Sequence, residues 1–263
     1  MENTKPKVVA IIQARIGSTR LPGKALKKIQ GRSLIEWIQY RLSFCATIDD
    51  IILCTADNAE NDLLAEHAKE IGLKCFRGSE TDLIKRLYGV LKEYDADGLV
   101  RITGDCPLVD PKIVDNLVNV FRENYPSVDY VCNILPPTYP DGIDVEVMST
   151  KTFERLDNEV TNPLYREWLT MTILENPDTY HIINVKNEEN LFHLRLTVDY
   201  PEDFLLVNEI FNCLHKDKGV FCLEDILDLL KERPDLLKIN EMRIDKSLVD
   251  NIRSQAFQDE KKK

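Results

Sequence analysis

The chain has 263 residues, 43% of them hydrophobic and 30% charged. That length fits one large domain or two small ones, and that apolar content excludes a chain disordered throughout. Lys and Arg number 34 against 45 Asp and Glu, a net charge of −11, which argues against a duplex nucleic-acid partner. Seven cysteines and four histidines form no C-x-x-C, no H-E-x-x-H and no zinc spacing, so the cysteines read as free thiols in a reducing, cytoplasmic setting. No apolar run reaches the ~18 residues a membrane span needs, and the polar segment Met1 to Lys7 does not read as a signal peptide.

Val8 to Ile12 is a continuous β-branched run, which suits a strand covered on both faces. A polar loop follows from Gln13 to Lys24. Ser33 with Glu36 predicts a capping box that opens a helix carrying Leu34, Ile35, Ile38 and Leu42. Ile51 to Thr55 reads as a strand, Asn61 to Ile71 as a helix stopped by Gly72, and Leu73 to Phe76 as a third strand. Thr81 to Tyr94 is a helix, Gly98 to Thr103 a fourth strand, and Asp110 to Glu123 a helix capped by Asp110 and started by Pro111. Four strand–helix alternations predict an α/β fold: a doubly wound, mostly parallel sheet with helices on both faces.

The rhythm then changes. Tyr130 to Asn133 and Ile143 to Met148 read as strands on either side of Pro136, Pro137 and Pro140. Asn162 to Glu175 reads as one helix and Tyr180 to Val185 as a strand. This middle section resembles an insertion for substrate contacts or a subunit interface. Leu194 to Val198 reads as a buried strand, Pro201 to Leu214 and Leu223 to Leu230 as helices, and Gln258 to Lys263 as a frayed tail. The expected organisation is a main domain over 1–215, with an inserted section at 124–185, and a C-terminal helical extension and tail over 216–263.

Three segments carry candidate chemistry. The first is Gln13-Ala14-Arg15-Ile16-Gly17-Ser18-Thr19-Arg20-Leu21-Pro22-Gly23-Lys24. It follows the first strand, where doubly wound sheets bind ligands. Its two glycines let backbone N–H groups approach a phosphate, and Arg15, Arg20 and Lys24 supply charge. It is neither a Walker A loop nor a G-x-G-x-x-G, and a solvated basic loop is the competing reading. The second is Arg101-Ile102-Thr103-Gly104-Asp105-Cys106-Pro107, which ends the fourth strand on a hard oxygen ligand suited to Mg²⁺, or on a simple turn aspartate. The third is Thr197-Val198-Asp199-Tyr200-Pro201-Glu202-Asp203. There Asp199 ends an apolar run as a metal ligand, a helix cap, or both.

Taken together, the basic loop, the Gly-Asp-x-Pro turn and the Thr-Val-Asp-x-Pro-Glu-Asp turn resemble the nucleotide-sugar cytidylyltransferases, from about Val8 to Leu214. That group activates 3-deoxy-manno-octulosonate and acylneuraminates, and the branch named for spore-coat polysaccharide biosynthesis looks most similar. The resemblance implies a Rossmann-like sheet of the nucleotide-diphospho-sugar transferase type. It implies that Ala14, Arg15, Ser18, Thr19, Arg20 and Lys24 hold CTP, with Arg15 and Lys24 also stabilising charge in catalysis, and that Asp105 and Asp199 hold Mg²⁺. The stretch containing Gly78, Ser79 and Asp82, with Arg86 and Arg101 nearby, would read the pyrimidine. Tyr139, Asp141, Asp144, Glu146, Arg166 and Glu167 would meet the acceptor. The branch commonly reads Arg-Glu-His where this chain has Arg166-Glu167-Trp168, so Trp168 either changes the acceptor or fills core.

The implied reaction is in-line attack of an acceptor oxygen on the α-phosphorus of CTP, with pyrophosphate released and a homodimer paired through the inserted section. Asp141, Asp144 and Glu146 suggest an acceptor that offers an amine or several hydroxyls, unless Asp144 and Glu146 lie on the exposed face of a strand. Two other readings are a non-catalytic nucleotide-binding subunit and a glycosyltransferase. The second would need a D-x-D metal motif, for which Asp95-Ala96-Asp97 is a poor candidate.

Overall fold

The computed structural model describes residues 5–216 and 219–245. In chain order its strands are β1 (Val8–Gln13), the two-residue β2 (Lys28–Ile29) and β3 (Arg32–Ser33), β4 (Asp50–Ala56), β5 (Lys74–Gly78), β6 (Gly98–Thr103), β7 (Tyr130–Cys132), β8 (Glu146–Ser149) and β9 (Ile182–Asn184). Its α-helices are α1 (Leu34–Leu42), α2 (Asp62–Glu70), α3 (Leu83–Glu93), α4 (Pro111–Asn124), α5 (Thr150–Glu159), α6 (Pro163–Glu167), α7 (Leu169–Leu174), α8 (Pro201–Leu214) and α9 (Leu223–Glu232).

Seven strands form one sheet in the order β5-β4-β1-β6-β8-β7-β9, and β2 pairs with β3 apart from it. β5, β4, β1 and β6 run parallel, β8 lies antiparallel to both β6 and β7, and β9 is parallel to β7. The expected doubly wound, mixed sheet is therefore present, with a single reversed strand. Val8, Ala10 and Ile12 of β1 pack with α1, α4, α8 and α9 on one face. Val9 and Ile11 pack with α3, α5 and α7 on the other. A strand sandwiched this way has no polar face, which is why β1 reads as an unbroken apolar run.

From β1 the chain moves outward to β4 and β5, then returns to place β6 on the other side of β1. The carboxyl ends of β1 and β6 flank this change of direction, where open α/β sheets bind ligands.

Local signals set several boundaries. Ser33 and Glu36 form the predicted capping box, Asp82 caps α3, and Asp110 caps α4 with Pro111 in its first turn. Gly72 follows α2 at φ +69, a left-handed conformation that glycine adopts without strain.

Four expectations need correction. Leu194 to Val198 is buried but is not a strand: it makes one isolated bridge, Asp141 to Arg195, flanked by no continuing ladder. Burial alone gave that run its strand-like composition. Strand β8 starts only at Glu146, because Ile143 and Val145 spend their backbone bonds on the Asn133 side chain, at 2.8 and 2.9 Å. The helix expected over 162–175 breaks at Trp168 (φ −106, ψ 54) into α6 and α7. Helix α5 was not expected, since only Phe153 and Leu156 supply apolar contact along its face.

In the C-terminal extension, Phe221, Leu223, Ile226, Leu230 and Leu236 join the same core as β1. Buried Arg41 ties it down, donating to the carbonyls of Phe221 (2.8 Å) and Val109 (2.7 Å). The expected frayed tail, 258–263, lies outside the described residues.

Candidate active site

The basic loop leaves the carboxyl end of β1 and folds on itself. Ser18 N donates to Ile16 O at 2.7 Å, Gly23 N donates to Ile16 O at 3.3 Å, and Asn61 Oδ1 accepts from Ile16 N at 3.0 Å. Gly23 turns left-handed (φ +66) directly before the 3-10 turn Lys24–Leu26. That reversal sends Lys24 back toward the sheet. Gly104 lets the ends of β1 and β6 close together, because a Cβ there would sit 2.8 Å from that of Ala14.

Lys24 is the junction of the three motifs. Its Nζ donates to Asp105 Oδ2 (2.7 Å), Asp199 Oδ1 (2.9 Å) and the Val198 carbonyl (3.0 Å). The backbone joins the same segments, with Val198 N donating to Asp105 O at 2.8 Å. Two carboxylates 94 positions apart by number thus face one cation. Arg20 reaches Asp199 Oδ1 at 2.9 Å, Arg195 reaches Asp199 Oδ2 at 3.1 Å, and the Thr103 hydroxyl donates to Asp105 Oδ1 at 2.5 Å. Burial alone would lower the Lys24 pKa, but Asp105 and Asp199 outweigh it and hold the ammonium above its ordinary value. Burial likewise opposes ionisation of Asp105, and Lys24 still brings its carboxyl below the usual range.

A cavity of about 250 Å³ opens beside this junction. It is lined by Ala14, Arg15, Ser18, Thr19, Arg20 and Lys24 from the loop, and by Asp105 and Asp199. Every loop residue expected to hold a triphosphate therefore lines one cleft with both aspartates. A second cavity, of about 200 Å³, shares Gln13 and Arg15 with the first and adds Glu80, Arg86, Arg101, Glu167 and Trp168. Arg86 is 3% exposed and donates to the carbonyls of Ser79 (2.5 Å) and Glu80 (3.3 Å). Gly78 is needed beneath it, since a Cβ would lie 2.9 Å from Arg86 Cγ. Trp168 is 60% exposed at this cavity's rim, so it does not fill core.

Other expected residues are placed differently. Asp82 caps α3 and pairs with Arg166 at 2.7 Å, and Arg166 also pairs with Asp157. Neither Asp82 nor Arg166 lines these two cavities. Glu167 faces Arg15 across the second cavity at 4.0 Å. Tyr139 is packed in the core. Asp141 pairs with Arg195 at 2.8 Å.

Glu146 is not on an exposed strand face: it is buried and accepts from Tyr130 Oη (2.5 Å), Thr170 Oγ1 (2.8 Å) and Arg101, its cross-strand partner on β6. Arg101 in turn donates to Gln13 Oε1 at 2.7 Å. Asp97 of the Asp95-Ala96-Asp97 stretch accepts from Lys7 N and Tyr125 Oη at the amino end of β6, the opposite end from the cleft.

Gly142 sits at φ +103, where a Cβ would lie 2.4 Å from Thr197 N, so only glycine lets the 141–146 stretch run against the Asp199 segment. Asp144 follows, with no ion-pair partner among the described residues. Removal from bulk water, then the nearby Asp141, push its carboxyl from 3.8 up to about 8. A folded-state value above the unfolded one means the folded chain binds the extra proton, so stability falls as pH rises between about 4 and 8. Asp144→Asn is expected to match the wild type at pH 4. By pH 8.5 it should be more stable by about 2 kcal/mol in urea titrations, only part of the full linkage value because the group is partly open to water. A gap that stays constant with pH would contradict the assignment.

Sequence reasoning missed Gln13, Thr103, Arg195, Asp203 and Asn240. Arg195 stands four residues before Asp199, a spacing that brings two side chains together in this turn but not in a strand.

The cytidylyltransferase family model matches residues 9–244. An uncharacterised protein of Methanocaldococcus jannaschii is 32% identical over 96% of this chain and 98% of its own length. A spore coat polysaccharide biosynthesis protein of Bacillus subtilis is 28% identical over 87% of this chain and 95% of its own. A solved cytidylyltransferase from Leptospira borgpetersenii superposes with a TM-score of 0.84 at 32% identity, covering 88% of this chain and 97% of its own. Among the described residues no helix is long and apolar enough to cross a membrane. The fold agrees with these likenesses: the chain belongs to the cytidylyltransferase family and is a CTP-dependent nucleotidyltransferase.

Proposed function

We propose that the protein transfers CMP from CTP to a hydroxyl (or phosphate) of a sugar-like or small polar acceptor, releasing pyrophosphate, as a Mg²⁺-dependent cytoplasmic enzyme of surface-glycan biosynthesis. The observation that carries this reading is the Lys24 ammonium held between Asp105 and Asp199 beside a basic loop. A cation already sits between two hard carboxylates, so the donor set suits Mg²⁺, with Lys24 as its stand-in. Bound there, the ion would neutralise phosphate charge and favour ionisation of the attacking hydroxyl.

The chain's own residues do the rest by positioning and charge. Loop N–H groups with Ser18, Thr19 and Arg20 hold the β- and γ-phosphates. Arg15 and Lys24 face the charge that grows on departing pyrophosphate. The second cavity, lined by Arg86 and Arg101, would take the pyrimidine, with Gly78 packed beneath Arg86 and the Ser79 carbonyl accepting from it. Asp141 and Glu146 are already matched by Arg195 and Arg101, so their charges call for no amine on the acceptor, and hydroxyls fit better. The proposed homodimer pairs through section 124–185, where Leu164, Trp168 and Met171 are exposed.

The test is pyrophosphate release from each of four nucleoside triphosphates against a panel of sugars, sugar acids and amino-alcohols. Mass spectrometry would identify the product. The expected result is one pyrophosphate per CMP conjugate, with CTP preferred. Absence of pyrophosphate with every acceptor, or turnover of a nucleotide sugar instead, would overturn the proposal.

A further inference from the structure

Arg195 lies outside both cavities, yet it organises the acid wall of the first. Its Nε donates to Asp203 Oδ1 at 3.0 Å and its Nη2 to Asp203 Oδ2 at 2.9 Å. This two-point pairing fixes the guanidinium plane. Asp203 is fully buried and also accepts from the backbone N–H groups of Asp199 and Tyr200, both at 3.0 Å. Asn240, in the C-terminal extension and 2% exposed, closes the arrangement. Its Nδ2 donates to Asp203 Oδ1 at 2.9 Å and to the Arg195 carbonyl at 3.0 Å.

From this locked plane Nη2 also reaches Asp199 Oδ2 at 3.1 Å, and Nη1 reaches Asp141 Oδ2 at 2.8 Å. Asp199 is therefore held at both ends, its N–H by Asp203 and its Oδ2 by Arg195. Only Oδ1 is left toward Lys24 and Arg20. A side chain with this many fixed contacts has one rotamer available, and that rotamer aims a single oxygen into the cleft.

We infer that Arg195 is a positioning residue that acts through Asp199, and that Asn240 makes the C-terminal extension a working part of the site. The inference rests on the reading of Asp105 and Asp199 as the divalent-cation site. Residues that orient a ligand from behind alter metal affinity by roughly 10–100-fold when removed. Lysine keeps the charge of Arg195 but cannot supply the fork, and Asn240→Ala changes no charge at all. These two variants therefore separate geometry from electrostatics.

The experiment measures Mn²⁺ affinity by electron paramagnetic resonance with a non-hydrolysable CTP analogue present, analogue affinity by calorimetry in EDTA, steady-state kinetics, and the thermal midpoint. It uses the full chain as wild type, Arg195→Lys, Asn240→Ala and Asp199→Asn. For Arg195→Lys the expected result is about a tenfold loss of Mn²⁺ affinity and of kcat, with metal-free analogue affinity and KM for CTP within about threefold of wild type. Asn240→Ala should shift the same quantities in the same direction by less. A lowered thermal midpoint with unchanged Mn²⁺ affinity in both variants would reduce Arg195 and Asn240 to fold support and overturn the inference. If Asp199→Asn itself leaves Mn²⁺ affinity unchanged, the cation-site reading fails instead.

Discussion

Asp105→Asn and Asp199→Asn are each expected to lower kcat by about a thousandfold while CTP still binds weakly. The expectation comes from where the two carboxylates stand. Both face one ammonium from opposite segments of the chain, 2.7 and 2.9 Å away. An amide is nearly the same size but carries no charge, so the cleft keeps its shape and loses half its acid wall. On the proposed reading nucleotide binding rests more on Arg15, Arg20 and the loop backbone, none of which is itself replaced. Steady-state kinetics at saturating Mg²⁺, alongside calorimetry with CTP in EDTA, separate the two effects. Near-normal turnover in either variant would remove that residue from the site.

Glu146→Ala is expected to cost about 3–5 kcal/mol of stability, because it strands the Arg101 guanidinium without its carboxylate. The side chains of Arg101 and Glu146 are 15% and 7% exposed, and they pair across β6 and β8. Tyr130 and Thr170 also lose their acceptor, so three donors go unsatisfied at once. Replacing both charged groups by apolar ones, Arg101→Met with Glu146→Leu, should recover the part due to the stranded charge and leave the part due to the unpaired Tyr130 and Thr170 hydroxyls. Urea unfolding midpoints check this directly. A Glu146→Ala protein with an unchanged midpoint and a raised KM for acceptor would instead make this acid part of the acceptor site, as the sequence alone suggests.

The difference between those two outcomes marks what the sequence could and could not convey. β1, the Ser33–Glu36 box and the Asp110–Pro111 start are written in neighbouring residues, and each appears where local chemistry puts it. The basic loop and both aspartates were legible because each sits at the end of a recognisable apolar run, and the fold then brings the ends together. Glu146 was misjudged because its neutralising arginine lies 45 residues away and only the β6–β8 register reveals it. Asp82 and Arg166 pair across 84 residues, which no local spacing conveys. Leu194 to Val198 has strand composition because it is buried, but its backbone bonds go to Asp141 and Asp105 rather than to a ladder. Asn240 gave no signal at all, since nothing near it in sequence hints at Asp203.

The most direct test of the central claim is a crystal of the protein with Mn²⁺ and a non-hydrolysable CTP analogue, with anomalous data collected at the manganese edge. The account predicts one peak bridging the carboxylates of Asp105 and Asp199, with the Lys24 ammonium moved onto the nucleotide phosphates. A peak held by other residues, or nucleotide bound with Lys24 still clamped between both acids and no manganese beside them, would contradict it.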